Sequence, residues 1–290
     1  MKSYEAALRE ATEDLQRAGV PEAELSAWYL LEEAVRQPVG MEQFDRAYYL
    51  LHKEDGIDEA VADTFASFVE YRKKRVPLEY ITHRTEFMGL TFFVDSRVLI
   101  PRQDTECLVE EALKYSEGAD VLDLCTGSGC IAVSLASLGR PRSVTASDRS
   151  AEALSVAERN AKENGVSVTC VHSDLWEDIA GDYDLITCNP PYIRQEVIPT
   201  LMPEVREYEP VMALVGGEDG LDFYRKILAG IGVFLRRNGH LIFEIGYDQG
   251  EDVAGLMRDA GLTDVRVRKD LAGMDRVVSG RWKNEEICCR

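Results

Sequence analysis

Residues 121–138 read VLDLCTGSGCIAVSLASL. The apolar run Val121–Cys125 has the length and composition of a buried strand, and Cys130–Leu138 continues in a helical pattern. Between them stands Thr126-Gly127-Ser128-Gly129, a turn rich in glycine. In a doubly wound sheet such a strand-to-helix turn lies at the carboxyl edge, where ligands bind. Glycines let backbone approach a ligand, and free amides at a helix start favour a carboxylate or phosphate. A tight turn also needs glycine without any ligand, so the turn alone leaves both readings open.

Downstream, the same alternation repeats. SVTASD (143–148), VSVTCVHSD (166–174), DLITCNPP (184–191) and HLIFEIG (240–246) read as strands, with a helix at AEALSVAERNAKEN (151–164). Strands alternating with helices predict a parallel sheet covered on both faces. VRVRKDL (265–271) and DRVVSGRW (275–282) read as a closing antiparallel pair. Upstream, Thr85–Val94 reads as a hairpin turning at Gly89. Residues 1–75 are helical throughout. Ser3 caps a helix carrying Leu8, Ala11 and Leu15, and Pro21 precedes a second with Leu25, Trp28, Tyr29, Leu30 and Leu31. Gln37–Gly40 is expected to break that helix. A third is expected around Met41–Lys53 and a fourth around Ile57–Arg75.

Composition narrows the function classes. The 290 residues include 33 Lys and Arg against 52 Asp and Glu, a net charge of −19. Both the first 80 residues and the remainder are acidic, whereas a phosphate backbone calls for clustered cations. Local basic runs such as Arg72-Lys73-Lys74-Arg75 are the exception. No apolar run reaches the roughly 20 residues of a membrane span, and the acidic N-terminus is unlike a signal peptide. A cytoplasmic protein is the expectation. The seven cysteines form no C-x-x-C pair and the four histidines show no metal-ligand spacing, so reduced thiols and no metal are expected. Cys288-Cys289 reads as a frayed tail.

Three strand ends carry polar groups that chemistry can use. Asp148 can accept both hydroxyls of a ribose, or cap the next helix, although Ser150 is better placed for the cap. Asp174 can accept from an adenine amine while Leu175 or Trp176 packs on its ring; a simple strand-end turn is the alternative. No G-x-x-x-x-G-K-[ST] loop is present, which counts against a nucleoside triphosphate. The sharpest feature is Asn189-Pro190-Pro191-Tyr192 at the end of strand 184–188. Prolines offer no amide hydrogen and fix their own φ. The Asn189 side-chain oxygen and the Pro190 carbonyl are thereby rigid acceptors that can hold both hydrogens of an amino group, with Tyr192 packed on the planar group. A proline-rich strand exit without chemistry is the alternative.

Asn189–Tyr192 after such a pocket resembles methyltransferases that modify planar amino groups. The fuller match is to the PrmC/HemK family, protein-glutamine methyltransferases of peptide chain release factors. It extends over Pro77–Ile81, Val98–Arg102, Glu209-Pro210, Ala213-Leu214, Gly216–Leu221, Tyr224-Arg225, Glu244–Gly246, Gln249-Gly250 and Asp270–Arg276. The resemblance implies a seven-stranded, mostly parallel, Rossmann-like sheet with a small N-terminal helical bundle and a hairpin linker. The expected boundaries are 1–76 for a substrate-docking domain, 77–100 for the linker and 101–290 for the methyltransferase domain. S-adenosyl-L-methionine is the implied cofactor and S-adenosyl-L-homocysteine its product. Implied cofactor contacts are Cys125, Thr126, Gly127, Ser128, Gly129, Asp148, Asp174, Leu175 and Asn189. Asn189, Pro190, Pro191 and Tyr192 would bind substrate, with Asn189 and Pro190 catalytic. Release factors are the implied partners, with no direct nucleic-acid contact and no membrane. A ribosomal-protein glutamine, an adenine in nucleic acid and a non-catalytic cofactor-binding scaffold are the rivals.

Two details remain as expectations. The family usually has glycine where this chain has Cys125, and the cysteine is expected to fit without positive φ. Residues 193–219 form a long connection that reads as a lid or recognition loop. Its Glu204, Glu207 and Glu209 would meet a basic substrate surface or lie solvated. Pro101 and Arg102 would shape the pocket, or Arg102 would make a structural salt bridge.

Overall fold

The computed structural model describes residues 2–39 and 44–283, the side chains of residues 37–39 excepted. Five helices come first: α1 (Tyr4–Arg17), α2 (Ala23–Val39), α3 (Arg46–His52), α4 (Glu59–Lys73) and α5 (Leu78–Thr82). A hairpin, β1 (Thr85–Phe87) and β2 (Leu90–Phe92), follows, and then α6 (Gln103–Ala112). The alternating region runs β3 (Asp120–Leu124), α7 (Cys130–Leu138), β4 (Ser143–Asp148), α8 (Ala151–Glu163), β5 (Thr169–His172) and β6 (Tyr183–Cys188). It closes with α9 (Pro203–Tyr208), α10 (Asp222–Phe234), β7 (Leu235–Glu244), α11 (Gly250–Asp259), β8 (Leu262–Lys269) and β9 (Asp275–Trp282). The start of the third expected helix, at Met41, and Cys288-Cys289 lie outside the described residues.

These elements form two compact units, residues 1–84 with 202–208, and residues 85–201 with 209–290. In the first, Ser3, Asp45 and Asp58 cap α1, α3 and α4 by accepting from the amides of Ala6, Tyr48 and Ala60. Leu15, Trp28, Leu31, Val61 and Phe65 are buried in its core. On α2 the buried stripe is Ala27, Leu30, Leu31 and Ala34, at helical spacing. Leu25 and Tyr29 fall off that stripe and are exposed. The expected break at Gln37–Gly40 is also too early: α2 runs through Pro38 to Val39. A proline one residue from the helix end removes only one hydrogen bond.

The short helix α9 belongs to this unit, although its sequence lies inside the long connection. Its Glu204 is buried between two guanidinium groups, Arg72 at 3.0 Å and Arg75 at 2.7 Å. The Tyr208 hydroxyl donates to the Lys74 carbonyl at 2.6 Å. Glu204 is therefore an internal partner, not a group offered to substrate. Periodicity missed α9 because it has only six residues.

The second unit is a seven-stranded sheet ordered β5-β4-β3-β6-β7-β9-β8. The five strands from β5 to β7 are parallel, and β9 pairs antiparallel with both β7 and β8. Tyr224, Ile227, Val253 and Met257 from α10 and α11 cover one face; Leu108, Ile131 and Ala161 from α6, α7 and α8 cover the other. The seven-stranded, mostly parallel α/β architecture is the one expected. Two strand lengths differ. β5 is shorter than 166–174, and its side chains are half-buried or exposed along this sheet edge. β7 begins five residues before His240, in the polar LRRNG segment, across a register shift opposite Tyr183–Leu185. Among the described residues no helix is long and apolar enough to cross a membrane.

From β3 the chain winds outward through β4 and β5, and β6 and β7 lie on β3's other side. The strand order therefore reverses between β3 and β6, where such sheets open a crevice at their carboxyl ends. Leu124 and Cys188 face each other in register there, so the segments starting at Cys125 and Asn189 leave neighbouring strands side by side.

Candidate active site

The exit of β3 winds through three left-handed residues: Cys125 (φ +55°), Gly127 (φ +53°) and Gly129 (φ +79°). The expectation that Cys125 fits without positive φ is thus wrong. The turn's geometry is imposed by its neighbours and the cysteine follows it, at a strain of about 1–2 kcal/mol for a side chain in this region. Thr126 is pinned by its amide to the Ser147 carbonyl at 3.0 Å and by its hydroxyl to Asp123 at 2.6 Å. Gly129 lies so close to α8 that a Cβ would stand 2.9 Å from that of Ala157. At Gly127 a Cβ would meet open space.

Asp123 supports the turn from below and was missed in the sequence. It is fully buried and accepts from the Thr126 and Thr187 hydroxyls, at 2.6 and 2.8 Å. Burial pushes its carboxyl up to about 7. The available signal was a lone acid inside an apolar strand. Asn160 on α8 plays a similar part, donating to the Ser128 carbonyl at 2.8 Å while exchanging two hydrogen bonds with the backbone of Phe93.

The exits of β4 and β5 complete this wall. Asp148 accepts from the Gly127 and Ser150 amides, both at 2.9 Å, and burial raises its pKa. Each of its oxygens retains a further lone pair. Ser150 caps α8 by accepting from Ala153, as expected. Asp174 and Leu175 line the same cleft. Trp176 does not: it stacks on Phe234 with ring centres 4.6 Å apart and donates to the Ile227 carbonyl.

Across the cleft stands the exit of β6. Asn189 and Pro191 form part of its lining, and Pro190 is buried. The Asn189 side-chain nitrogen donates to the Thr105 hydroxyl at 3.3 Å, which leaves the amide oxygen as the acceptor end. Tyr192 turns inward. Its ring packs against the core and its hydroxyl donates to Glu244 at 3.2 Å. Gln249 accepts from the Gly246 amide and donates to the Tyr192 and Gly220 carbonyls. The 216–221 loop wraps this corner closely. A Cβ at Gly216 would lie 2.6 Å from the Tyr192 Cα, and one at Gly220 would lie 2.4 Å from the Tyr192 carbonyl.

Pro101, Arg102, Pro210, Met212 and Phe223 also line the cleft, which encloses about 920 Å³ with its mouth included. Glu209 is buried here, accepting from the Ile100 amide at 3.4 Å and from the Arg102 guanidinium. Glu209 is therefore a structural anchor, and Arg102 makes the salt bridge that was one of its two readings. Glu207 alone of the three glutamates is exposed, and it pairs with Arg206. Among the described cysteines, Cys130 and Cys188 are buried and all five are free thiols.

These residues fit S-adenosyl-L-methionine. The side-chain-free turn at Gly127 leaves room for backbone approach, no side chain caps the amides at the start of α7, and two carboxylates stand at successive strand ends. Comparison with known proteins gives the same class. Residues 103–204 match the methyltransferase small domain, and residues 6–82 match the PrmC N-terminal domain. A structure of a methyltransferase from Pyrococcus furiosus shares the fold, with a TM-score of 0.54 over 75% of this chain and 98% of its own, at 17% identity. The release factor glutamine methyltransferase of Clostridium acetobutylicum is 41% identical over 242 residues, covering 81% of this chain and 85% of that protein. That of Cereibacter sphaeroides is 42% identical over 277 residues, covering 95% and 97%. With helical N-terminal segment, glycine turn and Asn-Pro-Pro-Tyr corner all inside these matched spans, the chain belongs to the family of release factor glutamine methyltransferases.

Proposed function

We propose that this cytoplasmic chain transfers a methyl group from S-adenosyl-L-methionine to the side-chain amide nitrogen of the glutamine in the Gly-Gly-Gln motif of peptide chain release factors. The observation that carries the reading is the single cleft onto which both the β3 and β6 exits open. In this reading Cys125–Gly129, Asp148, Asp174, Leu175 and Asn189 hold the cofactor. Asn189, Pro190 and Pro191 hold the substrate amide, while Tyr192, turned into the core instead of packing on the planar group, braces their corner. Residues 1–76 dock the protein substrate, 77–100 link, and 101–290 catalyse.

When bound, the cofactor supplies an electrophilic methyl on a sulfonium. The chain's task is to make a poor nucleophile attack it. An amide nitrogen is weakly nucleophilic because its lone pair is delocalised into the carbonyl. The Asn189 side-chain oxygen and the Pro190 carbonyl accept the two hydrogens of the glutamine NH₂, favouring a pyramidal nitrogen whose lone pair points across the cleft. Positioning of this kind accounts for much of the acceleration, and fixed acceptors match the positive charge that grows on nitrogen. Held by Cys125–Gly129, Asp148 and Asp174, the cofactor would supply the methyl to that nitrogen and retain the carbon–sulfur electron pair, so the chain itself has only the nitrogen to hold and aim. The nitrogen then gives one proton to solvent; the methylated, protonated amide is a strong acid and needs no dedicated base.

Purified release factor and its Gln→Ala variant in Gly-Gly-Gln, incubated with methyl-labelled cofactor, test the proposal. Label in the first and none in the second is expected. A large-subunit ribosomal protein and duplex DNA run in parallel; label in either, with none in the release factor, would overturn the substrate assignment.

A further inference from the structure

A second cavity, about 580 Å³ with its mouth included, lies toward the amino ends of the parallel strands and shares no lining residue with the cleft. Strand register builds its floor. His240 of β7 pairs with Arg281 of β9, and Ser279, two residues along β9, pairs with Arg266 of β8. Residues two apart in a strand share a face, so these four side chains stand together on three adjacent strands. Ile242 and Val277 continue the same face and are buried in the core beneath α6. Beyond Ala112 that cover ends in a 3₁₀ turn, Leu113–Tyr115, whose Tyr115 ring stacks on His240 with ring centres 3.7 Å apart.

The four side chains are donors short of acceptors. Arg281 gives one guanidinium nitrogen to the Asn238 side-chain oxygen at 2.9 Å. The Arg266 guanidinium, the Ser279 hydroxyl and the His240 imidazole have no hydrogen-bond partner among the described residues, and neither arginine is paired with a carboxylate there. Asp264 lines the cavity, exposed, without pairing to either. Arg268, the next arginine on this face of β8, shows the contrast, since Glu110 neutralises it. Two unneutralised guanidiniums on neighbouring strands repel each other, and Ser279, only 7% exposed, keeps a hydroxyl without a partner. The chain has 52 acids against 33 bases and sets none of them on these two arginines.

We propose that this cavity is a second ligand site, built for one phosphoryl group. The short Ser279 side chain meets the anion from the floor, and the long arginines close on it from two neighbouring strands. His240, with one ring face covered by Tyr115, adds a ring nitrogen as a further donor. Donors from several directions suit a tetrahedral oxyanion better than a planar carboxylate, and each guanidinium can engage two phosphate oxygens. Asp264 at the rim and the net charge of −19 oppose a polyanion, which favours a free phosphate or a small monoester.

Calorimetry on the enzyme saturated with S-adenosyl-L-homocysteine, titrated with inorganic phosphate, ribose 5-phosphate and acetate, tests the proposal. Phosphate, the monoester or both should bind, with acetate at least about tenfold weaker. Tighter binding of the monoester identifies an ester as the ligand, and binding of phosphate alone identifies the free anion. Arg266→Gln and Arg281→Gln should each weaken binding about ten- to a hundredfold, and Ser279→Ala about three- to tenfold, with cofactor affinity unchanged. Arg237→Gln removes the same charge from an exposed arginine of β7 outside the cavity and should bind as the wild type does. Failure of both phosphates to bind, wild-type affinity in either Arg266→Gln or Arg281→Gln, or acetate binding as tightly as phosphate would overturn the inference. None of these results bears on methyl transfer at the cleft.

Discussion

The exits of β3 and β6 leave neighbouring strands from facing positions, Leu124 opposite Cys188, yet they hold their shape by different means. The β3 exit is shaped by its own backbone. Three left-handed residues bend it, and hydrogen bonds from Thr126 and Gly127 tie it to Asp123, Ser147 and Asp148. The β6 exit has fixed prolines and is shaped from outside, by Gln249, Glu244 and the tight glycines of the 216–221 loop. A turn that must admit a cofactor needs missing side chains. A corner that must aim two acceptors needs surroundings that forbid every other orientation.

The largest expected effect separates the two exits outright. Asn189→Ala removes one of the two acceptors and should cut methyl transfer by at least about 10²–10³-fold, while calorimetry shows cofactor binding largely spared. Loss of both together would mean that the two exits are not separable. Next in size, Gly216→Ala forces a Cβ to within 2.6 Å of the Tyr192 Cα. It should lower kcat by about tenfold or more and stability by about 1–3 kcal/mol, with the β3 exit and cofactor affinity unaffected. Steady-state kinetics beside thermal unfolding would show whether the corner depends on this loop.

A third prediction concerns pH. The Glu244 carboxyl, raised by burial from 4.5 to about 7, keeps its proton in the folded state over a range where the unfolded chain has lost it. The folded state then binds more protons, so stability falls as pH rises from about 4.5 to 7, by up to about 1.4 kcal/mol per pH unit. Glu244→Gln removes that dependence. Its unfolding free energy should gain on the wild type as pH rises through this window and hold level above it. A constant difference across pH would contradict the buried, uncompensated carboxyl.

The smallest effect lies at the β3 exit. Cys125→Gly relieves left-handed strain and should stabilise by up to about 1 kcal/mol, the added backbone entropy of glycine offsetting part of the gain. Chemical denaturation measures it. A destabilised variant would mean that the thiol's packing outweighs the strain.

Both exits were legible in the sequence because each departs from ordinary strand chemistry, one by glycine and the other by two prolines. Their supports were legible only as fragments of a resemblance. Glu244, Gln249 and Gly216–Gly220 reach the Asn189–Tyr192 corner from segments well beyond it in the chain, and no local pattern states that Gln249 reaches the Tyr192 carbonyl. Asp123, Thr105 and Asn160 sit inside regular elements, where periodicity reports burial but not partners. Glu204 and Glu209 were misread for a related reason. A carboxylate in an irregular segment looks solvated until the arginine that buries it, Arg72 or Arg102, is brought to it by the fold.

In the proposed mechanism two fixed acceptors hold the glutamine NH₂ and aim its nitrogen across the cleft. A crystal structure of the enzyme with S-adenosyl-L-homocysteine and a release factor, or a peptide carrying its Gly-Gly-Gln loop, tests it most directly. The glutamine nitrogen is expected at about 2.8–3.2 Å from both the Asn189 oxygen and the Pro190 carbonyl, with the Asn189 NH₂ still on Thr105. A glutamine amide held elsewhere, or an Asn189 that presents its nitrogen to the substrate, would contradict it.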